Sequence, residues 1–328
     1  MNGKACAVLL ATTFLSFAAP HTAQAEDNYP SRSVRIIVPF APGGVVDVMG
    51  RILALKLTEA TGQSFYVDNI GGAGGNIGAR TAAGAPKDGY TIMVTSSSFV
   101  VNPSLQAKVP YDPVKDFSPI TIASASPNVL VVKANHPAKS VKELVEEIRK
   151  TPGKFSFGSA GIGTTPHLSG ELFKQSTNVD IIHVPYTSAG PALQATIGGH
   201  TPVTFSGLPP AVPLIKNKEL RALAVTSATR VSALPDVPTL SEEGYPGQEA
   251  DTLLFVLAPA GTPTDVITKL NRLLTNILRT PDVQAKFEEL GFTPLATSPQ
   301  QSADRMREEI AKWRTVIERA NLRSVATN

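Results

Sequence analysis

The chain has 328 residues, with 30 Lys or Arg against 27 Asp or Glu, a near balance that gives no electrostatic reason to expect nucleic acid or an anionic membrane as partner. Its one cysteine is Cys6, inside the leader described next, so the rest of the chain has no disulfide, thiol nucleophile or cysteine-ligated metal. The remaining length, about 300 residues, suffices for two ordinary hydrophobic cores without such staples.

Residues 1–25 read as an export signal. Lys4 supplies a positive n-region, 7–19 an apolar stretch and Ala23-Gln24-Ala25 a small-x-small cleavage site, after which Glu26-Asp27 opens a polar chain. The apolar stretch is too short to span a bilayer. From there, short β-rich runs alternate with helical spacing. Strands are expected at 34–38, 65–68, 91–95, 129–132, 154–158, 180–183, 203–205 and 222–225. Helices are expected between them at 47–61, 76–85, 141–149, 166–175 and 189–198. Ser140 followed by Glu143 forms a capping box for the third of these helices, and Pro152-Gly153 ends it. Two long amphipathic helices follow from Thr262 and from Ser302, with Trp313 in the second as a packing residue.

This alternation predicts an α/β protein of two lobes, each a mainly parallel sheet flanked by helices. The extended runs 116–125 and 250–258 are the expected crossing strands. That division gives 26–124 with 251–328 as a discontinuous first lobe and 125–250 as the second.

The chemistry-bearing residues sit where strands turn into helices. In "IIVPFAPGGVVD" at 36–47, a strand runs through Gly43-Gly44 into a helix carrying Asp47 in its first turn. Such a start leaves peptide N–H groups unpaired, and these attract anions. "SFGSAGIGTTPH" at 156–167 repeats the design, with Thr164 and Thr165 as caps and Pro166 in the first turn. So does "HVPYTSAGP" at 183–191, and Ser96, Ser97 and Ser98 follow the third strand. None of these loops carries Lys or Arg. A helix N-terminus offers about half a positive charge with aligned donors, so several of them can hold a carboxylate without a cationic side chain.

Enzymatic patterns fit less well. "FGSAGIG" at 157–163 has Phe157 where a nucleophile elbow needs glycine, although Ser159 with His167 or His183 would still make an exported hydrolase. No histidine pair has metal-ligand spacing. The glycine run in "VDNIGGAGGNIGAR" misses the dinucleotide fingerprint, because Ile77 stands where glycine or alanine is needed. Gly71 to Gly75 is therefore expected to shape the rim of a cleft without touching ligand.

The motifs "YPSRSVRIIVPFAPGGVVDVMGR", "VDNIGGAGGNIGA", "KDGYTIMVTSSS", "VPYDPVKDFSPI", "GSAGIGTTPHLSGELFK", "IIHVPYTSAGPALQATIGGH", "LRALAVTSATRVSALPDVPTLSEEG" and "LAPAGTPTDVITKLN" closely resemble the Bug-type periplasmic solute receptors of tripartite tricarboxylate transport systems. The likeness runs in order from Tyr29 to Trp313. It implies a type II Venus-flytrap periplasmic binding protein: a monomer without cofactor or metal that closes on a small organic acid and hands it to membrane transporter subunits. The implied first-lobe contacts are Phe40, Ala41, Pro42, Gly43, Gly44 and Asp47, with Ser96, Ser97 and Ser98 lining the same lobe. The implied second-lobe contacts are Ser159, Ala160, Gly161, Gly163, Thr164, Thr165 and His167, faced by Tyr186, Thr187, Ser188, Ala189 and Gly190. Three departures bear on the ligand: Val46 replaces a threonine common in relatives, Thr187-Ser188 follows Tyr186, and Ser206 stands where many relatives have aspartate. An acid without an amino group is expected in consequence. A sensor presenting ligand to a membrane kinase would share the same fold.

Overall fold

The computed structural model describes residues 29–319 and 322–325. The expected leader at 1–25 lies outside the described residues. In chain order the elements are β1 (Val34–Val38), α1 (Val45–Thr61), β2 (Phe65–Asn69), α2 (Asn76–Ala83), β3 (Thr91–Ser96), α3 (Ser98–Leu105), β4 (Phe117–Lys133) and α4 (Val141–Lys150). Then come β5 (Phe155–Ser159), α5 (Thr165–Thr177), β6 (Ile181–Pro185), α6 (Ala189–Ile197), β7 (Val203–Gly207), α7 (Leu208–Lys216) and β8 (Leu220–Val225). The chain finishes with β9 (Asp251–Pro259), α8 (Thr264–Leu278), α9 (Pro281–Leu290), β10 (Thr293–Pro294) and α10 (Pro299–Arg319).

The strands join in the order β2-β1-β3-β9-β4-β7-β5-β6, with β8 and β10 also pairing to β4. In the first lobe β2, β1 and β3 run parallel, and in the second so do β6, β5 and β7. Antiparallel pairings of β9 with β3 and of β4 with β9 and β7 connect the two triplets, so the fold is α/β with a mixed sheet. The long strand β4 belongs to both lobes. It pairs with β9 over Phe117 to Pro127 and with β7 over Asn128 to Val132.

The central strands are buried on both faces, while the edge strands β2 and β6 expose Tyr66 and Ile182. One first-lobe core joins Leu53 of α1 to Leu270 of α8 and Phe287 of α9, while the other joins Val101 of α3 to Trp313 of α10. Trp313 is a packing residue, and its indole N–H donates to Glu309 Oε2 at 2.9 Å. The second-lobe cores join Leu144 of α4 to Phe173 of α5 and Leu193 of α6 to Val212 of α7.

Local signals explain most boundaries. Ser140 Oγ accepts from Glu143 N at 3.2 Å, while Glu143 reaches back one residue further than a capping box would, to Lys139 N at 2.6 Å. Helices α3 and α7 are additions to the expected elements. Pro103 lies inside α3 and Pro213 inside α7, so propensity argues against both. Burial outweighs it: Phe99, Val100 and Val101 in α3 and Leu208, Ala211 and Val212 in α7 are all core residues.

Candidate functional site

The turn after β1 is held from below. Gly43 takes φ +84°, a left-handed conformation open to glycine at no steric cost, and Gly44 then caps α1 in extended conformation. Asp47 points back under the turn. Its Oδ2 accepts from Gly43 N at 3.0 Å and from Arg51 Nε at 3.0 Å, and its Oδ1 accepts from Asn69 Nδ2 at 3.0 Å. Asn69 also donates to Phe40 O at 3.0 Å. Burial pushes the Asp47 carboxyl up, but the hydrogen bonds from Arg51, Gly43 and Asn69 outweigh it and hold the group below its ordinary value. Asp47 is thus the support of the turn, and it lines neither of the two spaces between the lobes.

In the second lobe the loop after β5 folds over two imidazoles, His167 buried and His183 half-buried. Gly161 N donates to Ser159 Oγ at 3.1 Å and Gly163 N to His167 Nδ1 at 3.3 Å. Ser159 Oγ also lies 2.7 Å from His183 Nε2, and the two histidine rings lie with centroids 4.2 Å apart, tilted 35° to each other. Burial holds His167 neutral, its pKa lowered to about 4. His183 is lowered to about 3 by burial and then by the adjacent His167. His167 Nε2 has no hydrogen-bond partner and stands 4.0 Å from Glu171 Oε1, a carboxyl that burial raises above its ordinary value.

Between the lobes lies a narrow cavity of about 20 Å³, the room one ordered water needs. Four helix N-termini converge on it: α1 through Gly44, Val45 and Val46, α5 through Thr164, Thr165 and Pro166, α6 through Ser188 and Ala189, and α7 through its capping residue Gly207. Phe40, Ser96, Ala160 and Thr252 complete the wall. None of these described lining residues is charged. The four helix dipoles favour negative charge here, with α1 keeping a full set of first-turn N–H groups while Pro166, Pro191, Pro209 and Pro210 remove some from α5, α6 and α7. Thr252 Oγ1 bonds to Thr165 Oγ1 and donates to Asn128 Oδ1 at 3.3 Å, so the cavity floor is tied to the point where β4 changes lobes. Among the described residues, no group of three or more His, Asp or Glu could hold a metal ion.

The lobes touch at the cavity's mouth. Ala41 N donates to Thr187 O at 3.4 Å and Ser188 Oγ to Pro42 O at 3.1 Å, while Gly43 and Gly190 abut. A second opening of about 330 Å³ is lined by Phe40, Gly72 to Gly75, Gln106, Ala160 to Ile162 and Pro185 to Thr187. Tyr186 lies there with its hydroxyl bonded to Thr201 Oγ1 at 2.5 Å.

Of the residues singled out in the sequence, Phe40, Gly44, Ser96, Ala160, Thr164, Thr165, Ser188 and Ala189 line the inner cavity. Gly161, Tyr186 and Thr187 line the outer one. Ala41, Pro42, Gly43 and Gly190 form the contact between lobes. Ser97, Ser98, Ser159, Gly163, His167 and Ser206 face neither cavity. Ser97 Oγ accepts from Leu253 N at 2.9 Å, Ser98 pairs with Ser96 at 2.9 Å and Ser206 Oγ donates to Gly207 O at 2.9 Å. Val45, Gly207 and Thr252 are lining residues that the loop motifs missed. Gly207 carried the same strand-to-helix signal, masked by the prolines after it, whereas Thr252 had no local signal.

A family profile described as "Tripartite tricarboxylate transporter family receptor" matches residues 49–322. The chain is 39% identical over 296 residues to a protein of the tcbD-tcbE intergenic region of Pseudomonas sp. strain P51, covering 90% of this chain and 88% of that one. It is 36% identical over 302 residues to protein BugT of Bordetella pertussis, covering 92% of each. Among solved structures, the periplasmic binding protein BugD superposes with a TM-score of 0.87 at 33% identity, covering 90% of this chain and 99% of that one. Rpa4515 of R. palustris, solved with adipate, superposes with a TM-score of 0.87 at 38% identity, covering 89% and 98%. MatC of Rhodopseudomonas palustris, solved with bound malate, superposes with a TM-score of 0.82 at 30% identity, covering 88% and 100%.

Proposed function

The chain belongs to the tripartite tricarboxylate transporter receptor family, and from that premise we propose that it captures a small di- or tricarboxylate with an aliphatic or aromatic body in the interlobe cavity. It then delivers the acid to membrane subunits of a tripartite tricarboxylate-type transporter, working as a monomer in the periplasm after cleavage near Ala25. The observation that carries this reading is the convergence of four helix N-termini on one uncharged cavity. One carboxylate sits against the first turns of these helices, where peptide N–H groups supply charge-assisted hydrogen bonds. The body of the acid lies against Phe40, Val45, Val46, Pro166 and Ala189. Adipate in one neighbour and malate in another have the same chemistry, two carboxylates on a short carbon chain.

No bond is made or broken in this cycle. Ser159 and His183 resemble part of a hydrolytic triad at 2.7 Å, but Ser159 is fully buried and faces neither cavity. The hydroxyl instead ties down the loop whose Ala160 lines the site. Closure follows from ligand binding the closed arrangement better than the open one.

A melting screen of mono-, di- and tricarboxylates tests the proposal. An acid at a hundred times its Kd adds about 2.7 kcal/mol of stability, a clear upward shift, and mass spectrometry of what co-purifies would name the acid. Absence of a shift with every organic acid, together with slow turnover of an ester, would instead favour the hydrolase.

A further inference from the structure

Gly163, in the loop between β5 and α5, has a different lobe on each side. Toward the first lobe, an added methyl would overlap Asn102 Oδ1 of α3 and stand 3.4 Å from Leu105 Cδ2. Its neighbour Ile162 packs among the first-lobe core residues, as does Leu168 in the first turn of α5, and Ile162 O abuts Gly74. Toward its own lobe, Gly163 N donates to His167 Nδ1 at 3.3 Å. The loop is therefore pressed on the first lobe in front and pinned to one imidazole behind.

Because Nδ1 accepts, the proton of the neutral ring sits on Nε2. That atom has no hydrogen-bond partner, and neither has Asn102 Oδ1. Two buried polar atoms around Gly163 are thus unsatisfied, a penalty that opening to water relieves. A carboxyl faces Nε2: Glu171 Oε1 is 4.0 Å away, with the His167 side chain fully buried and that of Glu171 8% exposed. The other titratable groups around His167, among the described residues, are His183 of β6, its ring centroid 4.2 Å away, and Lys174, which acts on Glu171. Of the remaining elements packed there, α3, β5 and β7 contain no titratable residue and β4 has only Lys133, at its end. From β9 comes Thr252, bonded to Thr165, while Asp251 before it interacts with Lys312, Glu309 and Arg305 of α10.

We propose that His167 is an acid-triggered release for lobe closure: a proton taken from solvent at Nδ1 evicts the Gly163 N–H, the imidazolium turns its Nε2–H to the Glu171 carboxylate, and the freed loop lets the lobes part and the bound acid leave. This rests on the receptor reading above and adds its regulation. Burial holds His167 neutral down to about 4 and His183 down to about 3, so His167 takes the first proton. Parting the lobes brings water to the loop and returns His167 toward the ordinary value of about 6.5. The closed form then binds the proton less tightly than the open one, and closure weakens as pH falls through this window, by up to about thirtyfold at pH 5.

Spin-label distances and binding titrations test it. The chain has no cysteine after Cys6, so nitroxides placed at Leu55→Cys in the first lobe and Gln194→Cys in the second, both exposed positions, report the separation of the lobes. From pH 7.5 to pH 5, with and without adipate, the distance lengthens in the otherwise wild-type chain and stays short in His167→Asn, whose amide oxygen replaces Nδ1 as acceptor and takes up no proton. Adipate affinity falls about tenfold or more further in the wild-type protein than in His167→Asn over the same range, a ratio in which the acid's own titration cancels. Glu171→Gln keeps the shape, removes the charge and moves the onset of opening to lower pH, and it decides the matter should His167→Asn not fold. Parallel pH profiles of distance and affinity in wild type and variants overturn the release. A melting screen in which no organic acid shifts the transition overturns the receptor reading instead, and the label distances without adipate still decide whether protonation frees the loop.

Discussion

Gly43 of the first lobe and Gly190 of the second stand back to back, so that a methyl added at Gly190 would lie 3.2 Å from Gly43 O and 3.3 Å from Gly43 Cα. Gly190 lies in the first turn of α6 and has no positive φ. Space, and not backbone conformation, requires glycine there. Replacing it with valine leaves the second lobe able to fold but holds the lobes apart at this contact. If closure becomes tenfold less favourable, apparent affinity falls by about tenfold. Calorimetry reads the loss, and the ligand-free melting temperature stays near wild type.

Ser188→Ala removes the hydrogen bond to Pro42 O across the same contact. One neutral hydrogen bond contributes about 1 kcal/mol net, so ligand binding weakens about fivefold. The effect appears as faster ligand release in stopped-flow measurements.

Asp47→Ala leaves Gly43 N and Asn69 Nδ2 without their acceptor and costs about 2 kcal/mol, the scale of hydrogen bonds to a charged group. Denaturant unfolding measures it. The sign with pH follows from the lowered folded-state pKa of Asp47: its stabilisation is fully present above the unfolded-state value, about 3.9, and is lost as pH falls through the folded value. Asp47→Asn therefore flattens the acid limb of the stability curve below about pH 4.

His167 and His183 act in a higher window. Both are held neutral, with folded-state values lowered to about 4 and about 3, while the unfolded chain takes up protons below about 6.5. Between these values the unfolded state binds more protons, so stability is complete above about pH 6.5 and is lost progressively as pH falls toward 4. Melting temperatures of His167→Gln from pH 7 to pH 4 should fall less steeply than those of the wild-type protein. An equal slope would mean that His167 is already charged in the fold.

Val46 lines the inner cavity with an apolar side chain. Val46→Thr keeps the shape and adds a hydroxyl, which favours ligands that carry one. The affinity ratio of malate to succinate should rise several-fold in competition titrations, with little change for succinate.

Much of the architecture could be read locally. Val34–Val38, Phe65–Asn69 and Thr91–Ser96 are strands because β-branched and apolar residues concentrate there between glycine-rich turns. The strand-to-helix turns at Gly43-Gly44, Thr164-Thr165 and Ser188-Ala189 announced themselves by caps and glycines, and all three reach the inner cavity. Helix α7 stayed hidden because the segment is short and Pro213 lies inside it, and the packing of Leu208, Ala211 and Val212 against the second-lobe sheet outweighs that proline.

The sequence by itself determined where peptide donors would be left unpaired, and that no lysine or arginine would stand among them, because both follow from residues within one turn of each other. Only the tertiary structure decided which of those residues face the inner cavity. Ser159, His167 and Ser206 sit in the same loops as Ala160, Thr165 and Gly207, yet they turn into the second-lobe core, where the packing of His183, Phe157 and Gly163 dictates their direction. Thr252 arrives from the far end of the chain because β9 pairs with β4. Such long-range register has no signature within one turn of sequence, and it is what turns four separate helix starts into one site.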